Sequence, residues 1–197
     1  MIVGLLLAAG RSTRFGGDKL LAMLDGRPVL AHSAAAIAPA VGELVVVLPP
    51  GRDGLDAALA GVPFRGAINA DPAGGMASSI TTGIAALSPD VEAVIIALGD
   101  QPLVREDVCR RLADEWRRSS SPVVAPQYRD GRGHPVLFAR ECFPSLLALE
   151  GDRGAAPVIE ALGERVRLVR VDHDAPADVD TPAALARLVR ERSRPDS

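Results

Sequence analysis

The chain predicts an α/β fold: a mostly parallel sheet with helices on both faces. Two observations carry this. Short, near-continuous apolar runs recur along the 197 residues, and segments with helical spacing of Ala and Leu lie between most of them. A third observation adds an exception to the parallel pattern, because "YRDGR" joins two strand-like runs through an Asp-Gly pair, a hairpin signal.

In order, the strand-like runs are Ile2–Leu7, Leu44–Leu48, Val94–Leu98, Val123–Ala125, Val136–Phe138 and Val166–Val171. Their Val/Ile/Leu content without alternation suits strands buried on both faces. The helical segments run about Val29–Ile37, Gly54–Leu59, Met76–Leu87, Arg105–Arg118 and Ala155–Leu162. Thr181 followed by Pro182 reads as a further helix start, with threonine as N-cap and proline in the first turn. The length suits one domain, placed at residues 1–190, and "SRPDS" closes a flexible tail placed at 191–197.

Composition narrows the function. With 48% apolar and 24% charged residues this is an ordinary globular chain, and a net charge of −3 with 3% aromatic residues gives neither the basic stripe nor the stacking platforms of a nucleic-acid binder. Cys109 and Cys142 stand far apart with no CxxC or Cys/His cluster, which argues against a zinc site or a disulfide framework. The apolar opening lacks a positive leader region, and no run approaches the ~20 residues needed to cross a bilayer. A soluble, cytoplasmic protein without membrane contact is the default expectation. Any bound anion needs a local site.

The stretch "LLLAAGRSTRFGGDKLL" offers one. It follows the first strand, and ligands of open α/β sheets bind outside the carboxyl ends of strands. Gly10, Gly16 and Gly17 let peptide N–H groups converge on an anion, while Arg11, Arg14 and Lys19 place three cations within nine residues. The spacing is not a P-loop, because Asp18 precedes the lysine and Leu20 follows it, and it is not GxGxxG. A plain solvated turn is the bland alternative; the cations favour phosphate.

Further along, "ALGDQP" puts Asp100 at a strand's carboxyl end, where it could ligate Mg²⁺ or simply cap the next helix. "DVDTPAAL" carries Asp178 and Asp180, two carboxylates that its helix-start role does not need. "AGGMASSI" sets Gly75, Ser78 and Ser79 at a helix start, suited to a nucleotide or to capping the helix from within. "GRGHPVLF" and "GDRGAA" supply His134 and Pro135, and Asp152, Arg153 and Gly154. A histidine in such a loop can also be no more than a hydrogen-bonded structural residue.

"LAAGRSTRFGGDK" resembles the signature loop of the sugar-nucleotide-type nucleotidyltransferases, L-A-x-G-x-S-x-R-x-G-x-x-K, at every fixed position. The later motifs resemble, in order, those of one branch within the MobA-like NTP transferases, the molybdenum cofactor cytidylyltransferases. The resemblance implies a three-layer Rossmann-like sheet of the nucleotide-diphospho-sugar transferase type, with a β-hairpin addition. It implies that Leu7, Ala8, Ala9, Gly10, Arg11, Ser12 and Gly16 wrap an incoming NTP together with Gly75, Ser78 and Ser79. Arg14 and Lys19 would act on its phosphates as catalytic residues. It implies Mg²⁺ on Asp100 and Asp180, and an acceptor side made of Gln101, His134, Pro135, Asp152, Arg153 and Gly154. The family arginine after Gly-Ala is Ala156 here, so one contact to an anionic pterin is missing or passes to Arg153.

Ala9 stands where the guanylyl branch carries glycine, and a side chain there would crowd a purine more than a pyrimidine, so the resemblance implies CTP. The implied reaction is attack of the terminal phosphate of Mo-molybdopterin on the CTP α-phosphorus, with transient contact to a molybdoenzyme that receives the product. The rivals are transfer from GTP or to another phosphorylated acceptor, and a non-catalytic accessory protein that binds the cofactor for insertion. An oxidoreductase ranks last for want of GxGxxG.

Overall fold

The structure, a computed structural model, describes residues 1–10, 12, 14–51 and 54–192. Its centre is an eight-stranded mixed sheet. Strand β1 (Ile2–Leu7) lies in the middle, paired in parallel with β4 (Glu43–Leu48) on one side and β6 (Ala93–Leu98) on the other. Beyond β4 comes β5 (Arg65–Ile68), also parallel. Beyond β6 comes β9 (Val136–Ala139), which runs antiparallel to both β6 and β7 (Val123–Tyr128), and β10 (Val166–Arg170) closes that edge parallel to β7. A short β8 (Gly131–Arg132) folds back on β7, the turn that the Asp-Gly pair anticipates. A separate two-stranded ribbon, β2 (Met23–Leu24) with β3 (Arg27–Pro28), follows the opening loop.

Strand alternation divides the core into two layers. Leu6, Val46 and Ile95 face one side, under α1 (Val29–Ile37), α2 (Leu55–Ala58) and α4 (Glu106–Ser119). Leu5, Val45 and Ile96 face the other, under α3 (Gly75–Ala85), α5 (Phe143–Leu147) and α6 (Ala156–Leu162). This is the three-layer α/β architecture that the apolar runs predict. The last helix, α7 (Pro182–Arg192), starts where Thr181 and Pro182 place it, and the Thr181 hydroxyl accepts the Ala184 N–H at 3.1 Å. Helix α7 includes Glu191 and Arg192, the first two residues of the expected tail; residues 193–197 lie outside the described residues. Among the described residues no helix is long and apolar enough to cross a membrane.

Candidate active site

Leu7 of β1 and Leu98 of β6 are register partners, so the loops that leave them start side by side on one sheet edge. The backbone keeps sheet geometry to that point: Ala8 N–H donates to Val47 O and Gly99 N–H to Leu7 O, both at 2.9 Å. Leu7, Ala8 and Ala9 are buried, whereas Gly10 is exposed. The chain then turns through Ser12 (φ 46°) and Gly16 (φ 75°). Asp18, the residue that spoils the P-loop pattern, accepts the Leu20 N–H at 3.0 Å and closes the turn that presents Lys19. A hollow of about 220 Å³ opens between Ala8, Gly10, Ser12, Gly17, Asp18 and Pro49. Ala9 does not line it; its methyl packs into the core layer with Ile80 and Ile84. Arg11 lies outside the described residues.

Lys19 is 9% exposed. An ammonium so buried is costly unless paired, and its Nζ donates to Asp100 Oδ2 at 2.5 Å and to Asp180 Oδ1 at 2.7 Å. Arg14 Nη2 meets the second oxygen of Asp180 at 2.7 Å. Burial pulls the Lys19 pKa down, but the hydrogen bonds and charges of Asp100 and Asp180 outweigh it and leave the group above the ordinary lysine value. The Lys19 hydrogen bond holds Asp180 below the ordinary carboxylate range. Asp100 caps no helix, since α4 begins only at Glu106.

The segment 178–180 is seated by Val179, which is fully buried among Leu24, Val29 and Leu188 and donates its N–H to Asp100 O at 2.9 Å. Of its two flanking carboxylates, Asp180 converges with Asp100. Asp178 instead accepts Gln101 Nε2 at 2.8 Å, and burial raises its pKa. Gln101 is 6% exposed, with its Oε1 unpartnered.

Asp152, Arg153, Gly154 and His134 come together around a second cavity of about 330 Å³, whose walls include Met76, Ile96, Phe138 and Ala156. Neither Gln101 nor Pro135 is among its lining residues: Gln101 turns to Asp178, and Pro135 is buried beside His134. Burial pulls the His134 pKa below the ordinary histidine value, opposed by the charge of Asp100. The start of α3 packs on this cavity's rim. Gly75 sits at φ 78°, and a Cβ there would lie 2.3 Å from Asp152 Oδ1 and 2.7 Å from Gly151 O, so only glycine lets the two segments meet.

Ser78 and Ser79 are tied down locally. The Asn69 side-chain amide donates to their hydroxyls at 2.9 and 3.1 Å, and Ser78 Oγ donates to Gly75 O at 2.8 Å. Asn69, 2% exposed at the end of β5, is a residue that sequence reasoning missed, because β5 with Arg65 and Gly66 shows no apolar run. Arg132, on β8 at the mouth of the second cavity, was missed as well; the only sequence signal was its place between the hairpin turn and His134.

Residues 4–166 match the MobA-like NTP transferase domain. A probable molybdenum cofactor guanylyltransferase of Thermococcus sibiricus is 25% identical over 140 residues, covering 70% of this chain and 68% of that protein. A 2-C-methyl-D-erythritol 4-phosphate cytidylyltransferase of Desulforamulus reducens is 31% identical over 136 residues, covering 66% of this chain and 58% of that protein. Among solved structures, Rv0371c of Mycobacterium tuberculosis H37Rv is 30% identical and superimposes with a TM-score of 0.86 over 96% of this chain and 97% of that one; it has also been solved with manganese.

Proposed function

Because the chain belongs to the MobA-like NTP transferase domain family, we propose that it transfers CMP from CTP to the terminal phosphate of Mo-molybdopterin. The products would be molybdopterin cytosine dinucleotide and pyrophosphate. One observation carries the reading: the Lys19 ammonium shared by Asp100 and Asp180, with Arg14 on Asp180, at the edge where the opening loop leaves β1.

The residues fit a hard divalent cation. Two carboxylates from separate elements already converge on one positive charge, and Mg²⁺ takes one or two carboxylates plus phosphate oxygens. Asp100 and Asp180 would hold it, and when bound it neutralises charge on the triphosphate. Arg14 and Lys19 do the rest of that work. Arg14 offers a planar fork to phosphate oxygens, and Lys19 a point charge for the departing pyrophosphate. An oxygen of the acceptor phosphate bonds to the α-phosphorus as the bond to the bridging α–β oxygen breaks. The nucleophile is already an anion, so no general base is needed, and catalysis is alignment plus charge neutralisation. His134 faces the acceptor from the 330 Å³ cavity as a neutral imidazole at pH 7, in keeping with its lowered pKa.

The L-A-A-G loop and the G-H-P-V motif support the cytidylyl reading. A second reading, GTP as donor, is favoured by two observations: a relative named a molybdenum cofactor guanylyltransferase, and the burial of the Ala9 methyl, which keeps it out of the loop's hollow. Incubation with Mg²⁺, molybdopterin and each labelled NTP decides. Dinucleotide from CTP supports the first reading and dinucleotide from GTP alone the second. Tight pterin binding without pyrophosphate release would replace both with an accessory role.

A further inference from the structure

The second cavity holds a charge that nothing above uses. Its walls are apolar, from Met76, Ile96, Ala125, Val136, Phe138 and Ile159, and suit a flat ring; its rim carries Arg132, Asp152, Arg153 and Glu160. Arg153 already has a carboxylate partner on the rim, its Nη2 donating to both carboxylate oxygens of Glu160 at 2.9 Å. Position 156, where the family motif has a cation, is an alanine lining the same cavity. Among the described residues the Arg132 guanidinium meets no carboxylate, and Asp152 is in no ion pair.

The main chain around Arg132 is firmly placed. β8 pairs Arg132 with Gln127, and Gly133 packs on Tyr128, whose ring carbon Cε2 would lie 3.2 Å from any added Cβ. The Tyr128 hydroxyl donates to His134 O at 2.7 Å. The side chain itself stays exposed. A fixed anchor with an unspent guanidinium is an anion receptor in waiting, because the planar fork takes phosphate oxygens in pairs.

We propose that Arg132 is the specificity-determining cation of the acceptor site, standing in for the arginine that Ala156 replaces. The geometry then describes the acceptor class: a flat nitrogen heterocycle in the apolar walls, its N–H edge toward Asp152 and its anionic phosphate on Arg132. This rests on the pterin-phosphate acceptor under Proposed function.

The test uses two probes, neopterin and neopterin monophosphate, titrated into the intact protein by pterin fluorescence. The wild type binds the monophosphate at least about tenfold tighter. Arg132→Ala brings that preference within about twofold, Arg132→Lys recovers part of it, and CTP affinity stays unchanged in both variants, as fits a residue outside the nucleotide loop. A preference retained in Arg132→Ala overturns the assignment, as does a parallel loss of CTP affinity or a wild type that binds neither probe. The two readings fail separately. If Arg132 sets the phosphate preference but molybdopterin is not nucleotidylated, the acceptor identity falls and Arg132 stands. If the dinucleotide forms with the same acceptor KM in wild type and Arg132→Ala, Arg132 falls alone.

Discussion

Lys19→Ala strips the shared cation from Asp100 and Asp180, whose side chains are 19% and 31% exposed. A hydrogen bond to a charged partner contributes about 1.5–3 kcal/mol when buried. The Asp100 contact earns that range; the Asp180 contact is discounted to about 1 kcal/mol for solvent screening and because Arg14 remains on that carboxylate. The loss is therefore about 2.5–4 kcal/mol, and at roughly 2–4 °C per kcal/mol for a chain of this size the midpoint falls by about 5–16 °C. The ammonium also stands where Asp100 and Asp180 would hold a metal, so the variant should take Mn²⁺ without nucleotide more readily than the wild type. Mn²⁺ at 100 times its Kd returns about 2.7 kcal/mol, most of the lost midpoint. Turnover moves the other way, falling more than about tenfold, 1.4 kcal/mol or more of barrier. Thermal melts with and without Mn²⁺, beside a pyrophosphate-release assay, read all three. The pH sign is definite. Lys19 is raised above 10.5, so its stabilisation is complete below that value and fades only as pH climbs through the folded pKa; Asp180 is lowered below 3.8, so its share fades as pH drops through its folded value. A variant that melts within 2 °C of wild type, shows the same Mn²⁺ shift and keeps turnover within about tenfold refutes the reasoning.

Asp180→Asn should cost at least about tenfold in turnover, whereas Asp178→Asn should cost about threefold or less, because its amide oxygen still accepts from Gln101; equal losses in steady-state kinetics would reverse the assignment of the second carboxylate. Gly75→Ala forces a Cβ to 2.3 Å from Asp152 Oδ1 at φ 78°, and should lower urea stability by about 1–3 kcal/mol while weakening pterin binding; an unchanged midpoint would mean the 151–154 loop yields freely. Cys109 is fully buried, with its pKa pushed up to about 12, and Cys142 is 4% exposed with its own at about 11. Both thiols should react with a disulfide reagent at pH 8 at least about 100-fold slower in the native protein than in urea, since only exposed thiolate attacks. Because burial raises both pKa values above the ordinary 9.0, the unfolded chain gives up its thiol protons first, and the folded state loses stability as pH rises from 9 toward the folded values.

The parts legible in the sequence were those in which one segment declares its own role. Buried strands such as Ile2–Leu7 and Ala93–Leu98 are unbroken apolar runs, and Thr181-Pro182 caps α7 with its own side chain. What stayed hidden depends on partners far along the chain. β5 is four residues with one buried side chain, Ala67, and exists because β4 offers it an edge. Helix α5 is five residues held by Phe143 and Leu146 in the core layer. At the site, the sequence supplied Lys19, Asp100 and Asp180 as separate motifs, but that a single ammonium bridges the two carboxylates is a fact of packing. Gln101 shows the same dependence on packing: its motif does not tell that its amide donates to Asp178, 77 residues on.

The reversed strand is where fold and site join. β1, β4, β5 and β6 all run one way, so the loops that follow them share one edge, while the segments that precede them lie on the other. Were β9 parallel as well, the residues before it, Arg132 to Pro135, would arrive at the edge away from Asp100. Because β9 is antiparallel, Val136 pairs with Ile96 near the carboxyl end of β6, and the stretch that leads into it reaches the edge that carries Asp100 instead. The Asp-Gly turn at 130–131 is what lets the chain reverse after β7 and make that approach. One hairpin signal thereby brings the cavity lined by Arg132 and His134 to the sheet edge from which the opening loop also leaves.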